Sequence, residues 1–541
     1  MYINAIKSIT DGITAYSEDR SAWIRKLPYP TTAHYNALRN VNVVALKWLT
    51  APERNVVTRS DYLDTVLFQD ALQQRITDDD TAQQRDANVY SAFPWVKALF
   101  ELDEAVRTFA FPSGMDAAKK LRGIQGGLNY SIQQIDQLNL DAITDRLRHL
   151  LPLLDDALTH CWTFMGGYCP DFSWWCAQPV AEVKGLIKDF RDRLEIHVGE
   201  TLIGAPVGKT VLEQHLDAAY ISHSVEELLV AAQREWDWCK RQCDSIISEL
   251  GVLSWADALE HCKVRAGAPG SHIQTVAEMA FEAADYVIGN DLLTVDASAY
   301  GTWRMQMMSA DMQRTNPFFL GGETIYVSYP TSEMDTERKL MSMRGNNAAF
   351  SRATVQHELI PGHHMQQWAN RRFNTHRQAW WTPFWVEGWT LHWEMLLWER
   401  RYARTAEERC GMLFWRMHRC ARVLFSLRFH LGEMSATECV DFLVKECGHE
   451  PANAQAEIRR SVGDQYPPLY QLAYQIGGLQ VRALSRELVA NGWSLKAFHD
   501  RFLMENEMPI AALRGLLIGL PLDGKSLRQW RFLDSHLVYS D

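Results

Sequence analysis

Residues 224–250, SVEELLVAAQREWDWCKRQCDSIISEL, leave little room for anything but a helix. Val225, Leu228, Leu229, Ala232, Trp236, Cys239, Cys243, Ile246, Ile247 and Leu250 form one continuous apolar stripe at the 3.6-residue period. Ser224 and Glu227 stand where a capping box starts such a helix, and Ser435 and Glu438 repeat the device in MSATECVDFLVKE. The same periodicity runs through 60–110, 140–165, 180–200, 276–290, 390–430 and 475–520. No internal repeat or low-complexity segment interrupts it. The chain is therefore expected to be mainly α, a large multi-helix body around a cleft.

Breaks fall near GETLIGAPVGKT (199–210), RAGAPGSH (265–272) and NPFFLGGETIYVSYP (316–330). The last holds the clearest strand candidate, Thr324 to Tyr329, where β-branched and aromatic residues lie between Gly322 and Pro330. These breaks suggest an N-terminal helical region over 1–210, a middle helical region over 211–295 and a catalytic region over 296–541, or one continuous domain. GAPVGKT (204–210) imitates a phosphate-binding loop, but only three residues separate its glycines and no buried strand is evident before it.

Composition narrows the partners. A formal charge of −11 without a long basic stretch argues against nucleic acid and anionic membrane. MYINAIKSITDGITAYSEDR lacks the basic-then-apolar pattern of a signal peptide, and no uncharged apolar run reaches the ~18 residues of a membrane helix. A soluble, cytoplasmic protein is the expectation. The ten cysteines contain no CxxC pair, so reduced core thiols are expected rather than a cysteine metal site.

The chemistry concentrates in VQHELIPGHHMQQ (355–367). A catalytic zinc takes three protein ligands at about 2.0–2.2 Å, which sets two ligand atoms only ~3.4 Å apart. HExxH achieves this with histidines one helical turn apart and a glutamate between them. Here His357 and Glu358 are in place, but position 361 is proline and the next histidines are His363 and His364. On a regular helix these lie ~9 and ~10.5 Å along the axis from His357, too far to share an ion. Pro361 cannot bond the His357 carbonyl, its ring drives Ile360 from helical geometry, and Gly362 tolerates a bulge. Pro-Gly can thus loop out two residues and return His363 or His364 to the site. A third ligand is expected on a neighbouring helix. In PFWVEGWTLHWEMLLWER (383–400), Glu387 and Glu394 share a face among Trp385, Trp389, Trp393 and Trp398, where a carboxylate needs a partner.

HELIPGHH followed by EGWTLHWE resembles the bacterial "domain of unknown function 885" family, whose pattern is HExxPGHH followed by EGWxxYxE. That family looks like a distant relative of the gluzincin metallopeptidases of the thimet oligopeptidase, angiotensin-converting enzyme and carboxypeptidase Taq type. The resemblance implies a zincin-like body binding Zn2+ through His357, His363 and Glu387, with Glu358 as general base. It also nominates His430 at the end of RVLFSLRFH (422–430), and Arg460 and Tyr474 in EIRRSVGDQYPPLYQLAYQIG (457–477). His364, Glu394 and His392 are candidates for supporting or substrate contacts. His392, Ser426 and Ser461 depart from the pattern, which commonly has tyrosine, aspartate and tyrosine there.

The expected activity is hydrolysis of peptide bonds, mainly in short peptides. Glu358 would move the proton, Tyr474 or a nearby histidine would stabilise the oxyanion, and the 324–329 strand would hold an extended substrate by edge pairing. A zinc amidase acting on a small non-peptide molecule, or a helical scaffold that binds ligands without turnover, are the alternatives.

Overall fold

In the computed structural model the 224–250 stripe is a helix, Val225–Leu250, whose ends are set as its sequence requires. Ser224 Oγ accepts from the Glu227 N–H (3.2 Å) and the Glu227 carboxylate accepts from the Ser224 N–H (2.8 Å). Gly251, at φ 66°, closes the other end. Val225, Leu228, Ala232, Trp236, Cys239, Cys243 and Ile246 are buried, with Leu229, Ile247 and Leu250 half-buried at the stripe's edge. That stripe lies along the helix Ala406–His430, where Arg416 is paired with Glu235 at 2.7 Å.

The structure describes residues 6–51, 56–199, 201–313, 316, 318–463, 466–536 and 538–539. The fold is mainly α, a multi-helix body with one small sheet among the described residues. Two compact units divide the chain, Met1–Ala205 and Pro206–Asp541. In the first, Gly114–Gln133 packs along Pro170–Val198, with Leu121, Ile124, Phe172 and Phe190 in its core. The second holds both the middle region expected over 211–295 and every candidate site residue. GAPVGKT follows a helix ending at Val198, not a strand, and Lys209 opens the helix Lys209–Ala218. The phosphate-loop resemblance therefore has no structural counterpart.

The sheet belongs to the second unit. Strand β1 (Arg304–Met307) pairs in parallel with β3 (Thr324–Val327), and β2 (Phe319–Leu320) pairs antiparallel with β3 on its other side. The observed strand is shorter than expected: Ser328 and Tyr329, ahead of the donorless Pro330, lie outside the ladder. More consequentially, β3 is central. Both its edges are taken, so the expectation that this strand pairs with a substrate is corrected. The edge strands are β1 and β2.

Two helices of this unit, Pro383–Glu399 and Tyr470–Ala490, cross almost backbone to backbone. A Cβ on Gly388 would stand 2.6 Å from the carbonyl carbon of Gly477, so only glycine permits the approach. Around the crossing, Trp385 and Trp389 stack on Phe502 with ring centroids 5.1 and 4.9 Å apart. All ten cysteines are free and nine are buried. Among the described residues no helix is long and apolar enough to cross a membrane.

Candidate metal centre

The helix Ala348–Glu358 stops at the expected place, and a second helix, His363–Asn370, starts after four residues. The hydrogen bonds give the size of the interruption. In a continuous helix the Gln356 carbonyl would receive the N–H of residue 360; here it receives that of Gly362, at 3.1 Å. The Leu359 carbonyl likewise receives Met365 N–H (3.4 Å) instead of that of residue 363. Each bond skips two residues. Ile360 and Pro361 are looped out, and His363 takes the place of a residue four beyond His357. Gly362 is required for this passage, because a Cβ there would overlap the His357 carbonyl and lie 2.6 Å from the Gln356 oxygen. The loop is tied to the next helix by Trp389, whose indole N–H donates to the Pro361 carbonyl at 2.9 Å.

The result is a convergence of nitrogens. The His357 and His363 rings stand at 88° with centroids 4.9 Å apart, and both Nε2 atoms face Glu387 Oε2, at 3.5 and 3.4 Å. Ligand atoms of His357, Glu358 and His363 also fall within 4.8 Å of one another. Each histidine is held by its other nitrogen: His357 Nδ1 lies 2.7 Å from Glu394 Oε1, and His363 Nδ1 lies 3.2 Å from Gln366 Oε1. Carboxylate behind imidazole is how ligating histidines are oriented. Arg419 in turn donates to Glu394 Oε1 at 3.2 Å.

These residues fit a metal ion. Separations of 3.4–3.5 Å match the edge of a zinc tetrahedron, ~3.4 Å from bonds of 2.0–2.2 Å. Glu387 Oε2 is buried and accepts no hydrogen bond among the described residues, while Oε1 receives the Tyr470 hydroxyl at 2.7 Å. A buried carboxylate oxygen left without a donor is expensive unless a cation takes it. The electrostatics agree. Burial alone would lower the His363 pKa, but the charge and hydrogen bond of Glu387, with the Glu358 charge and the Gln366 hydrogen bond, together outweigh it and hold the ring up at about 9. Burial would raise Glu387, yet His363 and His357 hold it well below the usual carboxylate range.

The site opens into a cavity of about 220 Å³. Glu358 lies in its wall against Gly321, just after β2, where a Cβ would overlap the carboxylate. Phe319 and Leu320 of β2 border the same space. Tyr474 lies parallel to the His357 ring, with centroids 6.1 Å apart. The Arg419 and Arg422 guanidinium groups cover its face at 4.8 and 4.3 Å. Burial and the Glu387 charge push the Tyr474 phenol up to about 12, so it keeps its proton. Arg460 lines the cavity over the Tyr466 ring.

Of the residues nominated from the sequence, His357, Glu358, His363, Glu387, Glu394, Arg460 and Tyr474 come together; three do not. His364 turns the other way, its ring bonded to the Ala299 carbonyl (2.8 Å) and lining a separate basic cavity with Arg304 and Arg371. Since that carbonyl can only accept, His364 Nε2 is the donor. His392 is paired with His499 at 2.9 Å inside the aromatic core. His430 is buried beside Phe429, with both ring nitrogens lacking a hydrogen-bond partner among the described residues. Neither borders the cavity. Tyr470 and Arg419 were not nominated. Tyr470 had a legible signal, lying one turn before Tyr474 on the same helix face; Arg419 had none.

The chain belongs to the family described as bacterial protein of unknown function (DUF885), whose profile matches residues 24–517. It is similar in fold to two solved structures. One is "a putative lipoprotein of unknown function" from Shewanella oneidensis, with TM-score 0.68 and 15% identity over 94% of this chain and 98% of that one. The other is a "putative lipoprotein" from Colwellia psychrerythraea, with TM-score 0.59 and 12% identity over 98% and 100%. No curated protein matches the chain. The expected cytoplasmic location is overturned by these two descriptions, since a lipoprotein is a membrane-anchored protein, and it is not retained.

Proposed function

Proceeding from a family whose function is undescribed, we propose that this chain is a zinc-dependent hydrolase of peptide bonds, acting on short peptides. The observation that carries the reading is the convergence of two histidine Nε2 atoms on an otherwise unbonded, buried glutamate oxygen at tetrahedral-edge distances. A second carboxylate, Glu358, stands beside them in the cavity wall. Two histidines flanking a glutamate, with a ligating glutamate on the following helix, is also the gluzincin arrangement, and kinship with those peptidases is part of this proposal.

His357, His363 and Glu387 would hold the ion. Bound zinc supplies a Lewis acid that polarises a carbonyl and acidifies water. The protein does the rest. Glu358 accepts the proton of the attacking water and passes it to the leaving nitrogen. Tyr474, still a phenol, donates to the oxygen on which negative charge develops. Glu394 and Gln366 fix the ring orientations of His357 and His363. The cavity, at about 220 Å³, is smaller than the ~300–1,000 Å³ of drug-sized ligand sites, which favours short substrates and equally suits a small non-peptide amide.

Metal analysis followed by a peptide-library cleavage screen tests this. Purified protein should carry about one zinc per chain, and His357→Ala or Glu387→Ala should remove most of it. Full metal in either variant would show the ligand set to be wrong. A zinc-loaded protein that cleaves nothing in the library would end the peptidase reading.

A further inference from the structure

The arginines around the cavity are paired with carboxylates until one is left over. Arg419 is bonded to Glu394 (3.2 Å) and Arg422 to Glu457 (2.7 Å), both pairs buried. Arg460 borders the same cavity and is only 7% exposed, yet no carboxylate among the described residues lies within ion-pair distance of it. Its guanidinium rests 5.0 Å from the Tyr466 ring centroid, and its Nε is buried without a hydrogen-bond partner. Cation–π contact offsets only part of the desolvation of a guanidinium; the remainder requires an anion or hydrogen-bond acceptors. Glu457, three residues earlier on the same helix, favours the Arg460 charge through space, but its contact ion pair is made to Arg422, so it leaves the Arg460 fork without a bonded carboxylate.

We propose that Arg460 receives a carboxylate of the substrate. The planar guanidinium matches that group in a bidentate fork, which explains an arginine here rather than a lysine. The placement also fits the reaction, and to that extent the inference rests on the hydrolase reading. The Tyr466 and Tyr470 rings lie 4.4 Å apart, and Tyr470 bonds Glu387, so Arg460 and the proposed ligands line the same small cavity. A group held at Arg460 is therefore few bonds from the bond being cut. A free peptide carboxyl terminus meets that requirement, as does an acidic side chain beside the scissile bond.

Calorimetry on metal-stripped protein tests the proposal without turnover and without an ion to capture the carboxylate. The probes are an N-acetylated dipeptide as free acid, the same dipeptide as carboxyl-terminal amide, and an amidated dipeptide containing glutamate. Wild type should bind the free acid on the order of 10²-fold more tightly than the amide, the usual scale for a desolvated charge pair. Arg460→Met should bring the two within a few-fold, and Arg460→Lys should keep part of the preference. Strong binding of the glutamate amide would assign the carboxylate to a side chain; weak binding would assign it to the terminus. Either supports the proposal. Equal binding of all three by wild type, or an acid preference that survives Arg460→Met, overturns it. Thermal melting separates the structural explanation. Removing an unpaired buried charge should leave Tm unchanged or raise it, and a large fall in Arg460→Met would show that the guanidinium serves the fold instead. Because no metal is present, a failed hydrolase reading would appear as absent zinc or cleavage, independently of these titrations.

Discussion

Gly362→Ala should dismantle the metal centre while leaving the fold standing. The added Cβ would overlap the His357 carbonyl and sit 2.6 Å from the Gln356 oxygen, where ordinary carbon–oxygen contacts exceed about 3.4 Å. Both obstacles are backbone, so a side-chain rotation cannot relieve them, and the chain entering the His363 helix must move by roughly 1 Å or more. The His363 and His357 Nε2 atoms lie 3.4 and 3.5 Å from Glu387 Oε2, and zinc tolerates only about ±0.2 Å in each bond. A shift of that size takes His363 out of the set, whereas removal of mere outer partners costs 10–100-fold in affinity. Zinc affinity should therefore fall by more than about 10²-fold. Overpacking of this kind costs typically 1–3 kcal/mol, a loss of only a few degrees in Tm for a unit this large. The assay is competition with a chromophoric zinc chelator alongside thermal melting. Gly289→Ala, where a Cβ meets nothing within 4 Å, is the control. A Gly362→Ala protein with wild-type zinc affinity would refute the argument that the two-residue loop positions His363.

The remaining predictions concern the base, the support, the loop and the pH range. Glu358→Gln should retain zinc and lose roughly 10²–10⁴ in rate on an established substrate; undiminished turnover would remove Glu358 from the mechanism. Glu394→Ala, which frees the His357 ring and also strands Arg419, should weaken zinc binding by about 10–100-fold, and unchanged metal affinity would deny it that role. Deleting Ile360 and Pro361 together yields a contiguous HELGH and should keep zinc, while orphaning the Trp389 indole N–H at a cost of about 1–3 kcal/mol; loss of metal would mean the loop does more than restore spacing. Burial holds His430 and His499 down at about 4 and His449 at about 3, so the unfolded chain binds more protons than the folded one below pH 6.5. That stability is present above about 6.5 and drains away as pH falls towards 4, which a Tm series should record as a decline; a flat profile between pH 7 and 5 would count against it.

Much of the site was legible because its most unusual part is local. Proline's missing donor, glycine's missing Cβ and the two-residue displacement of His363 are properties of adjacent residues, and the skipped bonds at Gln356 and Leu359 follow from them. Helical periodicity was equally local, and the Val225–Leu250 helix follows its stripe almost residue for residue. Periodicity, however, states which residues share a face, not what lies across from them. Glu387 and Glu394 share a face seven residues apart, ~10.5 Å along the axis, so one helix offered two candidate carboxylates. Only the docking of that helix against the His357 and His363 helices set Glu387 between the two Nε2 atoms and Glu394 behind His357. The same docking turned His364 to another cavity, buried His392 against His499, and left β3 without a free edge. It also matched Arg419 and Arg422 with carboxylates and left Arg460 without one. Charge pairing depends on which helices meet, and a sequence states only how each helix is patterned.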